Sequence, residues 1–385
     1  MTKKNVVILG SSGYIGNATL DVISHLADRF TVFGLSVHQN ITLLSHQVRK
    51  FRPKVVAITD PTRASKFTPI HGVKVLKGTE GLIELATLPE VDIVVVAVSG
   101  TNGLHPTLHA IKAGKSIRIA NKETLVGYGE LIMPLVHQHN VSFLPIDSEH
   151  TGLYQLLSYK DSLKRLILTA SGGIFHNRPI EADISPADVL KHPRWQMGKL
   201  ITVYSSLMIN KGMEVIEAHY LFGVGFDQID VVIHPEAIIH AMVEFIDNSI
   251  IAQLSIPDMR LAIQYALTYP ERCTAKVKQL DLTKLTGLHF YPPDDKKFPA
   301  LRIAYEVGTL KRGYPLVYVV SAEEATKAFL ANKLRFTDIP RVITTMVQSY
   351  HPPSTINLDT LQEVEHQTRH RTTNVIEDII ASYRD

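Results

Sequence analysis

Several acidic residues stand at spacings that suit a hard cation. Asp147-Ser148-Glu149 follows an apolar run, Val141 to Pro145, that reads as a strand. In an extended segment residues i and i+2 point to one side, so both carboxylates can face one ion. Oxygen donors favour Mg2+ or Mn2+ over zinc. The same residues also read as a helix start, with Asp147 or Ser148 as N-cap of a helix entering at His150. A third carboxylate lies in Asn210-Lys211-Gly212-Met213-Glu214. If that stretch is helical, Asn210, Lys211 and Glu214 share a face. Such a face offers amide, ammonium and carboxylate to a phosphorylated ligand, or it is an ordinary exposed Lys-Glu pair.

Other segments add binding chemistry. Thr169-Ala170-Ser171-Gly172-Gly173 follows another strand and suits either an anion nest or a tight turn. His192-Pro-Arg-Trp195-Gln-Met197-Gly198 is loop-like and holds the only tryptophan, which suits a lid or a loop anchor. Gly10-Ser11-Ser12-Gly13-Tyr14-Ile15-Gly16 lies between a predicted strand and helix. Its glycines permit a tight turn and the approach of a pyrophosphate to helix N-terminal amides, although the spacing departs from G-x-G-x-x-G. At the end of the second predicted strand the chain reads Ser36-Val37-His38-Gln39-Asn40, with no acid to bond a ribose 2′-hydroxyl. That tilts the choice toward NADP, with His38 able to approach the 2′-phosphate.

Two dehydrogenase chemistries fail by absence. None of the 14 tyrosines has a lysine four residues on, so no Tyr-x-x-x-Lys proton donor exists. Cys273, the one cysteine, sits outside any nucleophile motif.

The elements that must position these groups follow from the apolar pattern. Asn5–Leu9, Thr31–Ser36, Val55–Thr59, Ile93–Val98, Ser116–Ala120 and Val141–Pro145 read as strands, with helices at Ile15–His25 and Ile41–Lys50. Continuous apolar strands separated by helices imply a parallel sheet covered on both faces. From Leu163 the pattern becomes α+β, with strands at Arg165–Thr169, Gln228–His234, Ala241–Phe245 and Ile250–Ser255. Helical periods follow the proline-rich connector Tyr291–Pro299. The expected class is therefore α/β: a Rossmann-like dinucleotide-binding domain over 1–147, an α+β catalytic and dimerisation domain over 148–275, a linker over 276–299 and a small helical domain over 300–385.

With 385 residues, 45% hydrophobic and 20% charged, the composition is that of a globular protein. No apolar run reaches the ~18 residues of a membrane span. One cysteine excludes a disulfide framework and suits a reducing cytoplasm. A net charge of +3 suits small anionic ligands and is too weak to argue for nucleic acid.

Taken together, the motifs resemble the 1-deoxy-D-xylulose 5-phosphate reductoisomerases. The matches run in order: Gly10–Gly16, Ala120-Asn-Lys-Glu-Thr-Leu-Val126, Pro145-Ile-Asp-Ser-Glu-His150, Thr169–Gly173, His192–Gly198, Asn210-Lys-Gly212 with Glu214–Ala218, Ile233-His-Pro235 and Pro257-Asp-Met-Arg260. The resemblance covers essentially the whole chain. It implies a homodimer using NADPH and Mg2+ or Mn2+, with Co2+ as a further option. The reaction implied is rearrangement of the ketose phosphate by retro-aldol and aldol steps, then hydride reduction to 2-C-methyl-D-erythritol 4-phosphate. By residue, it implies Asp147, Glu149 and Glu214 as metal ligands. Ser148 and Lys211 would contact the substrate backbone, and Ser171, Ser205, Asn210 and Lys211 its phosphate. His192, Trp195 and Met197 would cover the substrate. Gly10 to Ile15, His38 to Asn40, Asn121, Lys122, Glu123 and Gly198 would bind cofactor. Lys122, Glu149, His192 and Lys211 would serve catalysis.

Five departures from the family pattern stand out. Tyr14 replaces a small residue in the glycine loop, and His38-Gln39 stand where glycine and a basic residue are common. Ile174 replaces a proline and Tyr204 an aspartate. Farther on, Val320-Ser-Ala-Glu-Glu324 replaces an Asn-Ala-Ala-Asn-Glu run. They leave open a paralogue acting on another sugar phosphate or phosphonate, and a catalytically silent dinucleotide sensor.

Overall fold

The computed structural model describes residues 2–157, 162–181, 183–190 and 198–383. The fold is α/β with two compact units. The first comprises Met1–Thr124, Ile132–Thr151 and Asp258–Lys278, and the second Leu125–Leu131, Gly152–Pro257 and Gln279–Asp385.

The first unit is built on seven parallel strands: β1 (Lys4–Leu9), β2 (Phe30–Val37), β3 (Val55–Ile58), β4 (Lys74–Lys77), β5 (Ile93–Val96), β6 (Ser116–Ile119) and β7 (Phe143–Pro145). Their order is β4-β3-β2-β1-β5-β6-β7. The central strands are apolar without alternation because helices cover both faces: Val6 to Leu9 and Val94 to Val96 are wholly buried. Burying each such side chain contributes roughly 1.5–3 kcal/mol. The strand order reverses between β1 and β5. In open α/β sheets that point leaves a crevice beyond the strands' carboxyl ends, where ligands bind. The segment Asp258–Lys278 joins this unit through its helix Met259–Thr268, which packs on helix Tyr14–His25. Arg118 of β6 donates to the Ala266 carbonyl of the same helix.

The second unit holds a four-stranded sheet of β8 (Leu163–Ala170), β9 (Ile229–Ile233), β10 (Ile239–Phe245) and β11 (Ile250–Leu254). The order is β11-β10-β8-β9. β8 and β9 run parallel, and the other pairs are antiparallel. Helices Pro299–Leu310, Tyr314–Leu330, Ile339–Gln348 and Leu358–Ala381 pack together at the C-terminal end of the chain. Between Glu271 and Phe298 the chain has one 3-10 turn and a single bridge from Tyr291 to Ile233. The unusual Glu323-Glu324 pair is neutralised by Arg369 of the last helix and by Lys327.

Candidate active site

The three loop glycines do different work. Gly10 has φ +89°, and a Cβ there would lie 2.5 Å from the Ala97 carbonyl oxygen at the end of β5. Gly16 is packed as tightly: its Cβ would stand 2.3 Å from the Gly10 carbonyl oxygen. Gly13 is open, with nothing closer than 3.5 Å. First turn, close approach and helix packing are the three glycine roles of a dinucleotide fingerprint, here spread over a longer spacing. Gly13 caps helix Tyr14–His25 without a side-chain partner, and no acid lies in its first turn, so the amides there suit an anion. The turn is held from β2 and the following helix. Gly10 donates to Ser36 Oγ (3.0 Å), Ser11 Oγ to Gln47 Oε1 (2.7 Å), and Gln47 Nε2 back to the Ser11 carbonyl (2.9 Å). The Ser12 carbonyl accepts from Asn17, the Ile15 carbonyl accepts from Thr19 Oγ1, and the Ile15 side chain is half-buried. Tyr14 keeps 45% of its surface exposed. Burial and the Asp258 charge raise its hydroxyl pKa.

His38, Gln39 and Asn40 are exposed beyond β2. His38 Nδ1 lies 2.9 Å from Thr59 Oγ1, Gln39 donates to Asp60 (3.0 Å), and Asn40 caps helix Ile41–Phe51 through the Leu43 amide.

Asn121, Lys122 and Glu123 are all buried where β6 leads into helix Lys122–His139. Asn121 donates to the Gly100 carbonyl (2.7 Å) and to Glu123 (2.9 Å). Lys122 forms an ion pair with Asp147, the two side chains being 11% and 13% exposed.

Asp147 corrects the extended reading of Asp147-Ser148-Glu149. Ser148–Leu156 is a helix, and Asp147 Oδ1 accepts from the Glu149 (3.1 Å) and His150 (3.2 Å) amides and lies 3.0 Å from His150 Nδ1. The orphan amides of a helix start outcompete strand geometry. Asp147 therefore caps, and Glu149 rises from the first turn, where Ser148 Oγ donates to it. Burial pushes the Asp147 carboxyl up, but Lys122 and His150 more than reverse this and hold it well below the usual carboxylate range.

In the second unit, Ser171 ends β8's loop. Gly172 and Gly173 have φ +74° and +58°, and the Gly173 amide donates to Ser171 Oγ (3.3 Å). A Cβ at Gly173 would lie 2.9 Å from Ser206 Cα and 3.1 Å from the Ser205 carbonyl oxygen, so this glycine lets the Ser171 loop reach the end of helix Lys199–Ser206. Gly198 caps that helix without a side-chain bond. Tyr204, on its inner side, is fully buried, and Ile174 is half-buried. Helix Ile209–Phe222 begins after Met208 and carries Asn210, Lys211 and Glu214 on one face. Asn210 Nδ2 and Lys211 Nζ both donate to the Glu214 carboxylate, whose side chain is 1% exposed. This is a buried constellation, in contrast to a solvated surface pair. His192, Trp195 and Met197 lie outside the described residues.

Sequence reading missed Gln47, His150 and Asp60. His150 had a signal, three residues after an N-cap aspartate. Gln47 and Asp60 contact the loops from 36 and 21 residues away and leave no local trace.

Three family models match this chain. The 1-deoxy-D-xylulose 5-phosphate reductoisomerase model matches residues 6–129. Two models of the C-terminal domains of the same enzyme match residues 143–222 and 254–371. The enzyme of that name from Acaryochloris marina is 46% identical over 92% of this chain and 90% of its own. The chain belongs to the 1-deoxy-D-xylulose 5-phosphate reductoisomerase family. The reductoisomerase from Prosthecochloris aestuarii is 45% identical over 95% of this chain and 98% of its own. Among solved structures, a DOX-P reductoisomerase in complex with NADPH, fosmidomycin and magnesium superposes with a TM-score of 0.92 at 34% identity. It covers 97% of this chain and 98% of that one. The Zymomonas mobilis reductoisomerase in complex with NADPH gives 0.91 at 33%, covering 98% and 100%. The second sheet and the C-terminal helices thus belong to the same reductoisomerase fold as the Rossmann-like unit.

Proposed function

We propose that the chain is an NADPH- and divalent-metal-dependent enzyme converting 1-deoxy-D-xylulose 5-phosphate to 2-C-methyl-D-erythritol 4-phosphate. The observation that carries this reading is Asp147, a carboxylate only 13% exposed and held in an ion pair with Lys122. Metal ligands must be deprotonated, and a hard cation takes carboxylate oxygens. Asp147, Glu149 and Glu214 fit Mg2+ or Mn2+ in donor chemistry, and the uncrowded turn at Gly13, leading into the uncapped start of helix Tyr14–His25, fits a pyrophosphate.

When bound, the cation supplies Lewis acidity at the substrate carbonyl, and the nicotinamide supplies hydride. The chain's own residues do the rest. Asp147, Glu149 and Glu214 hold the cation, with Lys122 and Lys211 balancing the carboxylates. Ser171, Ser205, Asn210 and Lys211 bind the phosphate, whose remote binding energy keeps the fragments of a retro-aldol in register. Ser148 and Lys211 orient the oxygenated carbons. Gly10 to Ile15 cradle the pyrophosphate, Asn121 to Glu123 line the nicotinamide side, and Gly198 completes the cofactor site. His192, Trp195 and Met197 exclude water from the enediolate and aldehyde. Lys122, Glu149, His192 and Lys211 are the catalytic group.

A homodimer is part of this proposal. β11 is an edge strand, and Ile250, Ile251 and Leu254 are 52%, 49% and 36% exposed. Apolar edges of this kind are normally covered, here by a second copy. Among the described residues no helix is long and apolar enough to cross a membrane, and the single thiol suits a cytoplasmic setting.

The test is turnover. Wild-type protein with NADPH, Mg2+ or Mn2+ and deoxyxylulose phosphate should consume reduced cofactor and form the erythritol phosphate in equal amounts. A folded protein that gives no metal-dependent product contradicts the proposal. Turnover only with another phosphorylated carbonyl compound would favour the paralogue reading.

A further inference from the structure

The loop that carries Ser171 is backed by a segment of the linker. The His234 amide, just past the end of β9, donates to the Ala170 carbonyl (2.7 Å), one residue before Ser171. Gly172 rests on the same place, since a Cβ there would lie 2.9 Å from Ile233 Cγ2 and 2.9 Å from His176 Cβ. β9 is an edge strand of its sheet, and at Ile233 its free edge exchanges both backbone hydrogen bonds with Tyr291 (2.8 and 2.9 Å). Rings repeat the contact: Phe290 stacks on His234 with centroids 4.9 Å apart, and Tyr291 meets His176 at 4.9 Å. Lys297, farther along the linker, donates to the His176 carbonyl (3.4 Å).

A small polar cluster fastens this segment. The Glu236 carboxylate accepts from the His289 amide (3.3 Å) and from His289 Nδ1 (2.6 Å). His234 Nδ1 lies 2.9 Å from the His289 carbonyl and 3.0 Å from Glu236. His234 Nε2 accepts from the Ile238 amide (3.3 Å), so the ring hydrogen sits on Nδ1, between those two oxygens. The His234 side chain is fully buried, whereas that of His289 is 58% exposed. A pair at such an exposed position contributes little to stability, and neither Glu236 nor His289 belongs to the proposed metal, cofactor or substrate groups. A phosphate site needs its donors held in place before the ligand arrives. We propose that His289 and Glu236 are positioning residues for the substrate phosphate: they lock residues 289–291 onto β9, and β9 with that segment holds the loop of Ser171, Gly172 and Gly173. The inference rests on the reductoisomerase reading, with Ser171 at the phosphate, and deepens it.

Steady-state kinetics of the full chain with deoxyxylulose phosphate, NADPH and Mg2+ test it. His289→Ala should raise KM for the sugar phosphate by about 5–20-fold and leave kcat within ~2-fold, as loss of uniform binding does. Competitive inhibition by inorganic phosphate should weaken by a similar factor, while NADPH affinity, Mn2+ affinity and melting temperature stay near wild type. His289→Asn, whose amide can take the place of the Nδ1 donor, should recover most of the KM. Glu236→Ala should behave as His289→Ala does, and the double variant should be no worse than either, since both act through one contact. A wild-type KM in His289→Ala, a fall in kcat in its place, or a deficit that His289→Asn does not recover overturns the inference and leaves the reductoisomerase reading standing. Wild-type protein without turnover overturns both.

Discussion

Lys122 and Asp147 form a nearly buried ion pair between the start of one helix and the cap of the next. Each has a second task in the proposed site, since Asp147 is offered as a metal ligand and Lys122 as a neighbour of the nicotinamide. Removing one partner of a buried pair strands the other charge, at a cost of about 3 kcal/mol or more.

Lys122→Ala should therefore melt at lower temperature than wild type in metal-free buffer. Saturating Mg2+ should recover part of the loss, because a bound cation replaces the missing positive charge and stabilises only the folded state. Thermal melts with and without Mg2+ check this. Equal losses in both buffers would separate Asp147 from the metal.

The glycine loop allows a paired test. Gly16→Ala forces a Cβ against the Gly10 carbonyl and should destabilise by roughly 1–3 kcal/mol. Gly13→Ala meets nothing closer than 3.5 Å, so it should melt close to wild type while binding dinucleotide more weakly. Denaturant titration and cofactor binding distinguish the two. Normal cofactor affinity in Gly13→Ala would argue against pyrophosphate at this turn.

Acid stability should carry a signature of Asp258, which caps helix Met259–Thr268 and accepts from Arg260. Burial raises its carboxyl, but the bonds to Arg260 outweigh that and the folded pKa lies below the usual value. A depressed pKa contributes stability above the unfolded value of ~3.9 and loses it as pH falls through the folded value. Asp258→Asn should be less stable than wild type at pH 7, and the difference should shrink from about pH 4 downward. Melting temperatures across that range check the sign. A difference that grows in acid would contradict it.

The legible parts of the fold were those with one-dimensional signals. β3 and β5 are unbroken apolar runs and β1 ends in one, Val6 to Leu9, since both faces are covered there. β4, Lys-Val-Leu-Lys, escaped notice because an edge strand buries one residue, Leu76. Helix Lys122–His139 went unread for the opposite reason: residues 121–129 are all buried, so no polar stripe marks a helical period. The first half of helix Tyr314–Leu330 is hidden in the same way. At the site, the face shared by Asn210, Lys211 and Glu214 was readable from helical spacing. At Asp147 the sequence offered both a helix cap and a strand continuation; capping and strand continuation compete for the same residues, and the backbone amides decide for the cap. Asp60 reaches Gln39 from the neighbouring strand and had no signal in sequence order.

The proposed function depends on Asp147, Glu149 and Glu214 sharing one divalent cation. Titration of Mn2+ followed by electron paramagnetic resonance measures that directly. One tight site is expected in the wild type, with Asp147→Asn, Glu149→Gln and Glu214→Gln each weakening it by at least the ~100-fold that even supporting residues of metal sites can cost. Wild-type Mn2+ affinity in folded Glu214→Gln protein would contradict the shared site.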